Sequence, residues 1–143
     1  MKTIVIYTGK GGVGKTTTST SIAYLLANYH DKRVLLIDLD AQGNASQTYG
    51  VFDAESERNI SELFNNALHN VEYDVHDYII HSDYGVDIIS SNMHLMHTNG
   101  VILADENDIQ FNILKNILSQ VENEYDICIC DCGLLLDMAV ENA

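Results

Sequence analysis

Four apolar runs are spaced along the chain, and each gives way to glycine or to polar residues. They extend from Lys2 to Thr8, from Arg33 to Asp38, from Gly85 to Ser90 and from Tyr125 to Asp131. Apolar and β-branched residues occupy consecutive positions in these runs, which is typical of parallel strands covered on both faces. We therefore predict four buried core strands, with a minor strand near residues 77–80.

Helical patterns lie between the predicted strands, with apolar residues three and four positions apart. They predict a helix from about Thr16 to Tyr29, a short helix around Ile60 to Ala67 and a longer one from Ile109 to Val121, and Leu134 to Ala143 resembles the start of another. Strands that alternate with helices predict an α/β fold: a doubly wound, mostly parallel sheet with helices on both faces. Such a sheet leaves the first strand at an open edge, so we expect a chain that is truncated or that depends on a partner.

A glycine-rich segment follows the first predicted strand. Gly9 to Thr16 reads GKGGVGKT and satisfies the pattern G-x-x-x-x-G-K-[ST] in full. Glycine reaches the dihedral angles that turn successive N–H groups toward phosphate oxygens, and the start of the following helix adds partial positive charge. In such a loop Lys15 reaches the β- and γ-phosphates and the Thr16 hydroxyl binds Mg²⁺. The predicted phosphate-binding residues are Gly11, Gly12, Val13, Gly14, Lys15, Thr16 and Thr17. The alternative is a flexible glycine turn with an incidental lysine.

The loop carries a second lysine, Lys10, ahead of its glycine pair. The resulting KGGVGKTT resembles the deviant Walker A motif of the ParA/MinD/nitrogenase-iron-protein group. Within that group, RVLLIDLDAQGNASQTYG (Arg33 to Gly50) is similar to the ParA/Soj partition branch. The resemblance implies a SIMIBI-like P-loop NTPase with ATP and Mg²⁺ as cofactors. It covers nearly all 143 residues but matches only the N-terminal part of a ParA protein, so residues 1–143 are predicted to be the P-loop nucleotide-binding domain.

The resemblance also implies roles for four further side chains. Lys10 is expected to act across a dimer interface on the nucleotide of the other subunit, as an arginine finger does. Asp40 matches the switch carboxylate that orients the attacking water, so Lys10, Lys15 and Asp40 are the predicted catalytic residues. Asp131 matches the Walker B carboxylate, which holds Mg²⁺ through water, and Asp38 is expected to support that water shell indirectly. The alternatives are a solvated loop lysine and carboxylates that cap turns.

Two departures from the branch concern its prolines. Ala41 stands where the branch has proline, and Asp131-Cys132-Gly133-Leu134 replaces Asp-[Thr/Cys]-Pro-Pro. Loss of this Pro-Pro pair after Asp131 is expected to loosen the switch that senses the γ-phosphate.

Charge limits the partners that this chain can bind. Its 143 residues include 7 basic and 21 acidic ones, for a formal net charge of −14. Because nucleic-acid affinity depends on neutralising phosphates, this segment is expected to bind no DNA itself. No run resembles a signal peptide or a membrane span, and the three cysteines lie two residues apart, so a reducing, cytoplasmic setting without a membrane is expected. Spacing along one strand favours packing over metal binding for these cysteines.

The leading functional hypothesis is a slowly hydrolysing ParA-like ATPase that acts in plasmid or chromosome partition. The resemblance implies a homodimer on ATP binding and a ParB-like protein that stimulates hydrolysis. One alternative is a nucleotide- or partner-binding module without turnover. Another is a MinD-like positioning ATPase, which would need an amphipathic C-terminal helix that this sequence does not show.

Overall fold

A five-stranded sheet organises the protein in the computed structural model, which describes residues 1–105 and 108–143. The strands are β1 (Lys2–Ile6), β2 (Val34–Leu39), β3 (Ile79–His81), β4 (Asp87–Ile89) and β5 (Ile127–Cys132). Their spatial order is β1-β5-β2-β4-β3, and every neighbouring pair is parallel except the antiparallel pair of β3 and β4. The predicted doubly wound, mostly parallel sheet is confirmed, as is the minor strand.

Helices connect the strands and cover the sheet. They are α1 (Lys15–Tyr29), α2 (Asn44–Thr48), α3 (Ile60–Leu68), α4 (His94–Ala104), α5 (Ile113–Ser119) and α6 (Met138–Glu141). The helix predicted from Ile109 is divided, because a 3-10 turn at Asp108–Phe111 precedes α5. The sequence patterns did not predict α2 and α4.

Alternate residues of the central strand β2 enter two different cores. Leu35, Ile37 and Leu39 pack with residues of α3 and α5, whereas Val34 and Leu36 pack against the face that carries α1. Both groups are almost completely buried. The expected helices on both faces of the sheet are therefore confirmed.

The prediction that the first strand is buried on both faces is wrong. β1 pairs with β5 alone and forms one edge of the sheet, so Val5 is 43 % exposed. A run of apolar residues does not by itself show how many neighbouring strands flank a strand, so it does not distinguish an edge strand from a central one. The expectation of an open edge at this strand is confirmed.

Within the described ranges, no helix combines the length and the apolar character that crossing a membrane requires.

Candidate nucleotide-binding site

The glycine loop joins the end of β1 to the start of α1. Gly12 and Gly14 have φ angles of 69° and 87°, in the left-handed region that costs other residues roughly 1–2 kcal/mol. Gly14 is the residue that precedes α1, and in the described structure no side chain caps this helix end. The first N–H groups of α1 are therefore available to an anion, and the helix dipole favours negative charge at the same point.

The loop forms one wall of an open cavity of about 310 Å³. Its lining contains every predicted phosphate-binding residue together with Asp40, and adds Asn44 and Leu134. The fold thus brings the loop and the predicted switch carboxylate to one place, although 22 residues lie between Thr17 and Asp40 in the chain.

Lys10 has a different position from Lys15. Its side chain lies in the exposed part of the loop, and it is not among the described residues that line the cavity. The predicted action of Lys10 on a nucleotide in a second subunit remains a prediction.

Asp131 lies at the end of β5, beside α1. Its side chain is buried, and its Oδ1 accepts a hydrogen bond from Ser19 Oγ at 2.5 Å. Its Oδ2 is buried without a hydrogen-bond partner in the described part of the chain. Burial raises the pKa of Asp131, and the hydroxyls of Ser19 and Thr16 act in the opposite direction.

An unpartnered buried carboxylate oxygen is rare in proteins and usually marks a place where water or an ion binds. Mg²⁺ takes oxygen ligands and keeps several of its waters. The unpaired Oδ2 belongs to a carboxyl group whose pKa the Thr16 hydroxyl lowers, and it therefore fits the hydrated Mg²⁺ that the sequence predicts.

Asp38 is aligned with Asp131 across β2 and β5, but its surroundings differ. The backbone N–H of Asp40 donates to Asp38 Oδ1 at 3.1 Å, and the N–H and hydroxyl of Ser46 both donate to Oδ2 at 2.8 Å. Burial raises the pKa of Asp38 to about 7. These contacts hold the segment from Asp40 to Ser46 against the end of β2, and the predicted indirect role at the metal remains a prediction.

The segment that carries Asp40 is fixed at two more points. Gln42 N–H donates to Asp40 Oδ1 at 3.0 Å, which closes a tight turn. Gly43 has a φ of 63°, and a Cβ there would lie 2.5 Å from the Phe52 ring and 2.8 Å from the Ser91 carbonyl oxygen. Glycine is therefore required at this position for both its conformation and its size.

Ser19 and Ser46 are functional candidates that the sequence analysis missed. Ser19 lies one helical turn after Lys15, so it faces the same side of α1 as the loop lysine. Ser46 bonds Asp38 and also accepts a hydrogen bond from Ser91 N–H at 3.0 Å, which connects the Asp40 segment to the end of β4. Their spacing from the motifs is the signal that could have identified them.

The segment after β5 differs in character from the proline pair of the ParA/Soj branch. A Cβ on Gly133 would lie 3.6 Å from Asp40 Cγ, so this backbone passes close to the predicted switch carboxylate. Leu134, Leu135 and Leu136 follow, all exposed, and Leu134 reaches the cavity.

The three cysteines are buried along one face of β5 and belong to the larger core. Burial raises the pKa of Cys132 to about 12, so its thiol stays protonated and unreactive. Over the described ranges, no group of three or more His, Cys, Asp or Glu side chains is arranged to hold a metal ion. The burial of the three cysteines in the core is that of small packing residues.

The sheet order, the glycine loop and the carboxylates at the strand ends together define a P-loop NTPase. A family model described as an AAA domain matches residues 1–143, and the chain therefore belongs to this family of AAA domains. The chain is 34 % identical over 151 residues to the sporulation initiation inhibitor protein Soj of Bacillus subtilis, and the match covers 99 % of this chain and 53 % of Soj. This similarity confirms the resemblance to the ParA/Soj branch.

Solved structures share the fold of this chain over nearly its whole length. Cobyrinic acid a,c-diamide synthase from Mycobacterium smegmatis, with bound ATP analogue and magnesium, superposes with a TM-score of 0.88 at 25 % identity, over 99 % of this chain and 55 % of that one. A plasmid partition protein from Borrelia burgdorferi superposes with a TM-score of 0.81 at 29 % identity, over 99 % and 60 %. The chain thus spans between half and two thirds of the length of these proteins.

Proposed function

We propose that this chain is the nucleotide-binding portion of a cytoplasmic ParA/Soj-type ATPase that binds ATP·Mg²⁺ and hydrolyses it slowly. The observation that carries this proposal is the cavity at the glycine loop, together with the buried, unpaired carboxylate oxygen of Asp131, which is the register neighbour of Ile6 at the end of the strand before the loop. Support comes from the M. smegmatis neighbour, whose structure contains an ATP analogue and magnesium.

Each residue of the site has a defined task in this proposal. The N–H groups of Gly11 to Thr17 bind the phosphates, and the Lys15 ammonium binds the β- and γ-phosphates. Thr16 and Asp131 would hold Mg²⁺, which neutralises charge on the phosphates when it is bound. Asp40 orients the attacking water, and the turn held by Asp38 fixes the position of the Asp40 backbone.

The proposed biological setting is plasmid or chromosome partition. Soj and the Borrelia protein support it, since both are similar to this chain over nearly its whole length. In this setting ATP binding brings two subunits together, Lys10 acts on the nucleotide of the opposite subunit, and a ParB-like protein stimulates hydrolysis. These partners are proposed for a protein of the full length of Soj, because this chain matches only 53 % of Soj.

A second candidate is a module that binds nucleotide or a partner without turnover. The sequence Gly133-Leu134 favours it, because a segment beside Asp40 without the proline pair of the ParA/Soj branch would hold the attacking water less firmly.

Nucleotide binding is tested by the thermal midpoint of the 143-residue protein with and without ATP·Mg²⁺. At a free ATP concentration near 100 times Kd, mass action is expected to stabilise the native state by about 2.7 kcal/mol. Lys15→Ala should lose most of this shift, whereas Lys115→Ala, which removes an exposed lysine from α5, should retain it. No shift for the folded wild-type protein at millimolar ATP would overturn the proposal.

Turnover is tested separately by phosphate release under single-turnover conditions. Slow release above the Lys15→Ala background supports the ATPase. Nucleotide binding with release equal to that background supports the module.

A further inference from the structure

A second cavity, of about 620 Å³, lies on the outer side of α1. It is bounded by α1, by the end of α2 and by the turn between β3 and β4. We call it the tyrosine groove, and its lining consists of Thr20, Ser21, Tyr24, Leu25, Thr48, Tyr49 and Tyr84. The nucleotide-binding residues described above take no part in this lining.

Three tyrosine rings shape the groove. Tyr49 is almost buried, and its ring meets that of Tyr84 edge to face, with centroids 5.9 Å apart and an interplanar angle of 69°. Tyr24 and Tyr84 are 39 % and 50 % exposed, so part of each ring remains open to solvent. The Tyr49 and Tyr84 rings therefore stand at a steep angle to each other at a hollow that Tyr24 also lines, and aromatic rings grouped around a hollow bind organic cations.

The exposed ring of Tyr84 is held in place by its backbone. Asn28 Nδ2 donates to the Tyr84 carbonyl at 2.8 Å and to the Tyr24 carbonyl at 3.0 Å, which fastens the β3–β4 turn to α1. Gly85 completes the turn with a φ of 74°. The backbone of Tyr84 is therefore fixed against α1 by these hydrogen bonds, which hold its ring at the groove.

The hydroxyl of Tyr49 is already used. It donates to the Thr20 carbonyl at 2.9 Å, so this residue presents ring surface to the groove. Among the described lining residues none is charged, and the chain as a whole carries a formal charge of −14. Both the ring faces and the surrounding potential therefore favour a cation over an anion or a neutral group.

We propose that the tyrosine groove is a docking site for an arginine side chain on a basic segment of a partner protein. A guanidinium group stacks on aromatic faces and is weakly hydrated, so it loses less on entering an aromatic site than an ammonium group does. The acidic chain attracts a basic partner over a distance, and the rings provide the local contact. Docking in the groove requires no nucleotide in the loop, so it can be tested whether or not the proposed function is correct.

The groove and the nucleotide cavity share one short element. Asn44, at the start of α2, lines the nucleotide cavity, and Thr48, at its end, lines the groove. On the other side, Thr20 accepts from Tyr49 and its own hydroxyl donates to the Thr16 carbonyl at 2.7 Å. A partner in the groove therefore contacts residues that are bonded to the phosphate-binding loop.

The experiment is an NMR titration of the nucleotide-free protein with a blocked pentapeptide, Gly-Ser-Arg-Ser-Gly, while the ring signals of labelled tyrosine are followed. A second peptide replaces arginine by citrulline, which has nearly the same shape without the charge, and a third replaces it by leucine. We expect saturable shifts at Tyr24, Tyr49 and Tyr84 with the arginine peptide, and at least threefold weaker binding of the other two. The titration is run at about 0.15 M salt and repeated at about 0.5 M, because general attraction to the acidic surface is screened at the higher concentration.

Matched tyrosine variants locate the site. Tyr84→Leu should weaken binding of the arginine peptide roughly three- to tenfold, and Tyr84→Phe should retain it, since the ring is kept. Tyr7→Leu removes a tyrosine that is 40 % exposed just after β1 and outside the groove, and it should change binding less than twofold. Thermal midpoints show that each variant is folded.

Three results would overturn the proposal. They are equal binding of the citrulline peptide, tighter binding of the leucine peptide, and unchanged binding of the arginine peptide by folded Tyr84→Leu. Preferential binding of tetramethylammonium, added as a fourth probe, would likewise assign the groove to a different ligand class.

Discussion

Asp38 and Asp131 are register neighbours at the ends of two adjacent strands, yet their hydrogen bonds give them different properties. Asp38 accepts three hydrogen bonds from the Asp40 segment, so both of its oxygens are occupied. Asp131 accepts one from Ser19 and keeps a buried oxygen unpaired. At the scale of single residues, this asymmetry supports the proposal that Asp131 faces the metal, whereas the contacts of Asp38 position a loop.

The sequence could predict which carboxylates lie near the glycine loop but not how they differ. Strand ends and motif spacing place Asp38 and Asp131 at the same edge of the sheet. Their division of roles depends on Ser19 and Ser46, which are contributed by two different helices and carry no motif of their own. Spacing from the motifs could have marked these serines as candidates, but which carboxylate each one bonds depends on how the helices pack on the sheet.

Ser19→Ala tests the environment of Asp131. The change removes the hydroxyl that bonds Oδ1, and we expect the free energy of unfolding at pH 7 to fall by about 1–3 kcal/mol, the cost of an unsatisfied buried polar group. Urea denaturation measures it. The control is Ser21→Ala, which removes an exposed hydroxyl two positions along the same helix. Its free energy of unfolding should fall by less than about 0.5 kcal/mol. Equal stability of the two variants would show that the Ser19 bond contributes nothing.

At the scale of elements, apolar spacing predicted the presence of several helices but not always their bounds or buried faces. The helix predicted from Ile109 is divided, and the buried residues of α1 are Ser19, Thr20 and Ala23. The helix that contains α1 and the short helix α3 were both predicted from apolar spacing. The pattern of α4 is obscure because its buried face includes Thr98, whose hydroxyl bonds Ser61 at 2.7 Å, while its exposed face includes Met96 and Leu103. Hydrophobicity therefore does not distinguish the two faces of α4.

The segment between β2 and α2 offers a matched test of backbone constraint. Gly43 and Gly50 have similar positive φ angles, 63° and 69°, but only the Cβ of Gly43 would meet close neighbours within the described structure. Gly50→Ala should lose roughly 1–2 kcal/mol from the left-handed conformation alone. Gly43→Ala should lose about 1–3 kcal/mol more, because the added methyl group overpacks against Phe52 and the Ser91 carbonyl.

Thermal or urea unfolding of both glycine variants gives the comparison. Because the added cost at Gly43 is steric, Phe52→Leu in the Gly43→Ala background should recover part of it, and the backbone contact should retain the rest. Equal losses for the two single variants would contradict the packing argument.

At the scale of the whole molecule, charge is the dominant property. A formal charge of −14 on 143 residues is expected to destabilise the folded state through self-repulsion. The one exposed Arg–Asp ion pair between Arg33 and Asp126 in the described structure offsets little of it, since exposed pairs contribute less than about 1 kcal/mol.

Salt should therefore stabilise this protein. We expect the thermal midpoint to rise by several degrees between about 20 mM and 300 mM KCl, as screening weakens the repulsion. The triple variant Glu55→Gln, Glu72→Gln, Glu122→Gln, at three exposed positions, should have a higher midpoint at low salt and a smaller salt dependence. A midpoint that falls with KCl would show that attractive ion pairs outweigh the repulsion.

The shared position of α2 has a thermodynamic consequence. This helix has five residues, with Asn44 lining the nucleotide cavity and Thr48 lining the tyrosine groove. Because the helix is so short, we expect it to move as a rigid unit, so that a shift at one end is also a shift at the other. When two ligands bias the same body, each alters the affinity of the other by the same factor. The factor by which ATP·Mg²⁺ changes the affinity for the arginine peptide should thus equal the factor by which the peptide changes the affinity for ATP·Mg²⁺, and measuring either factor gives both.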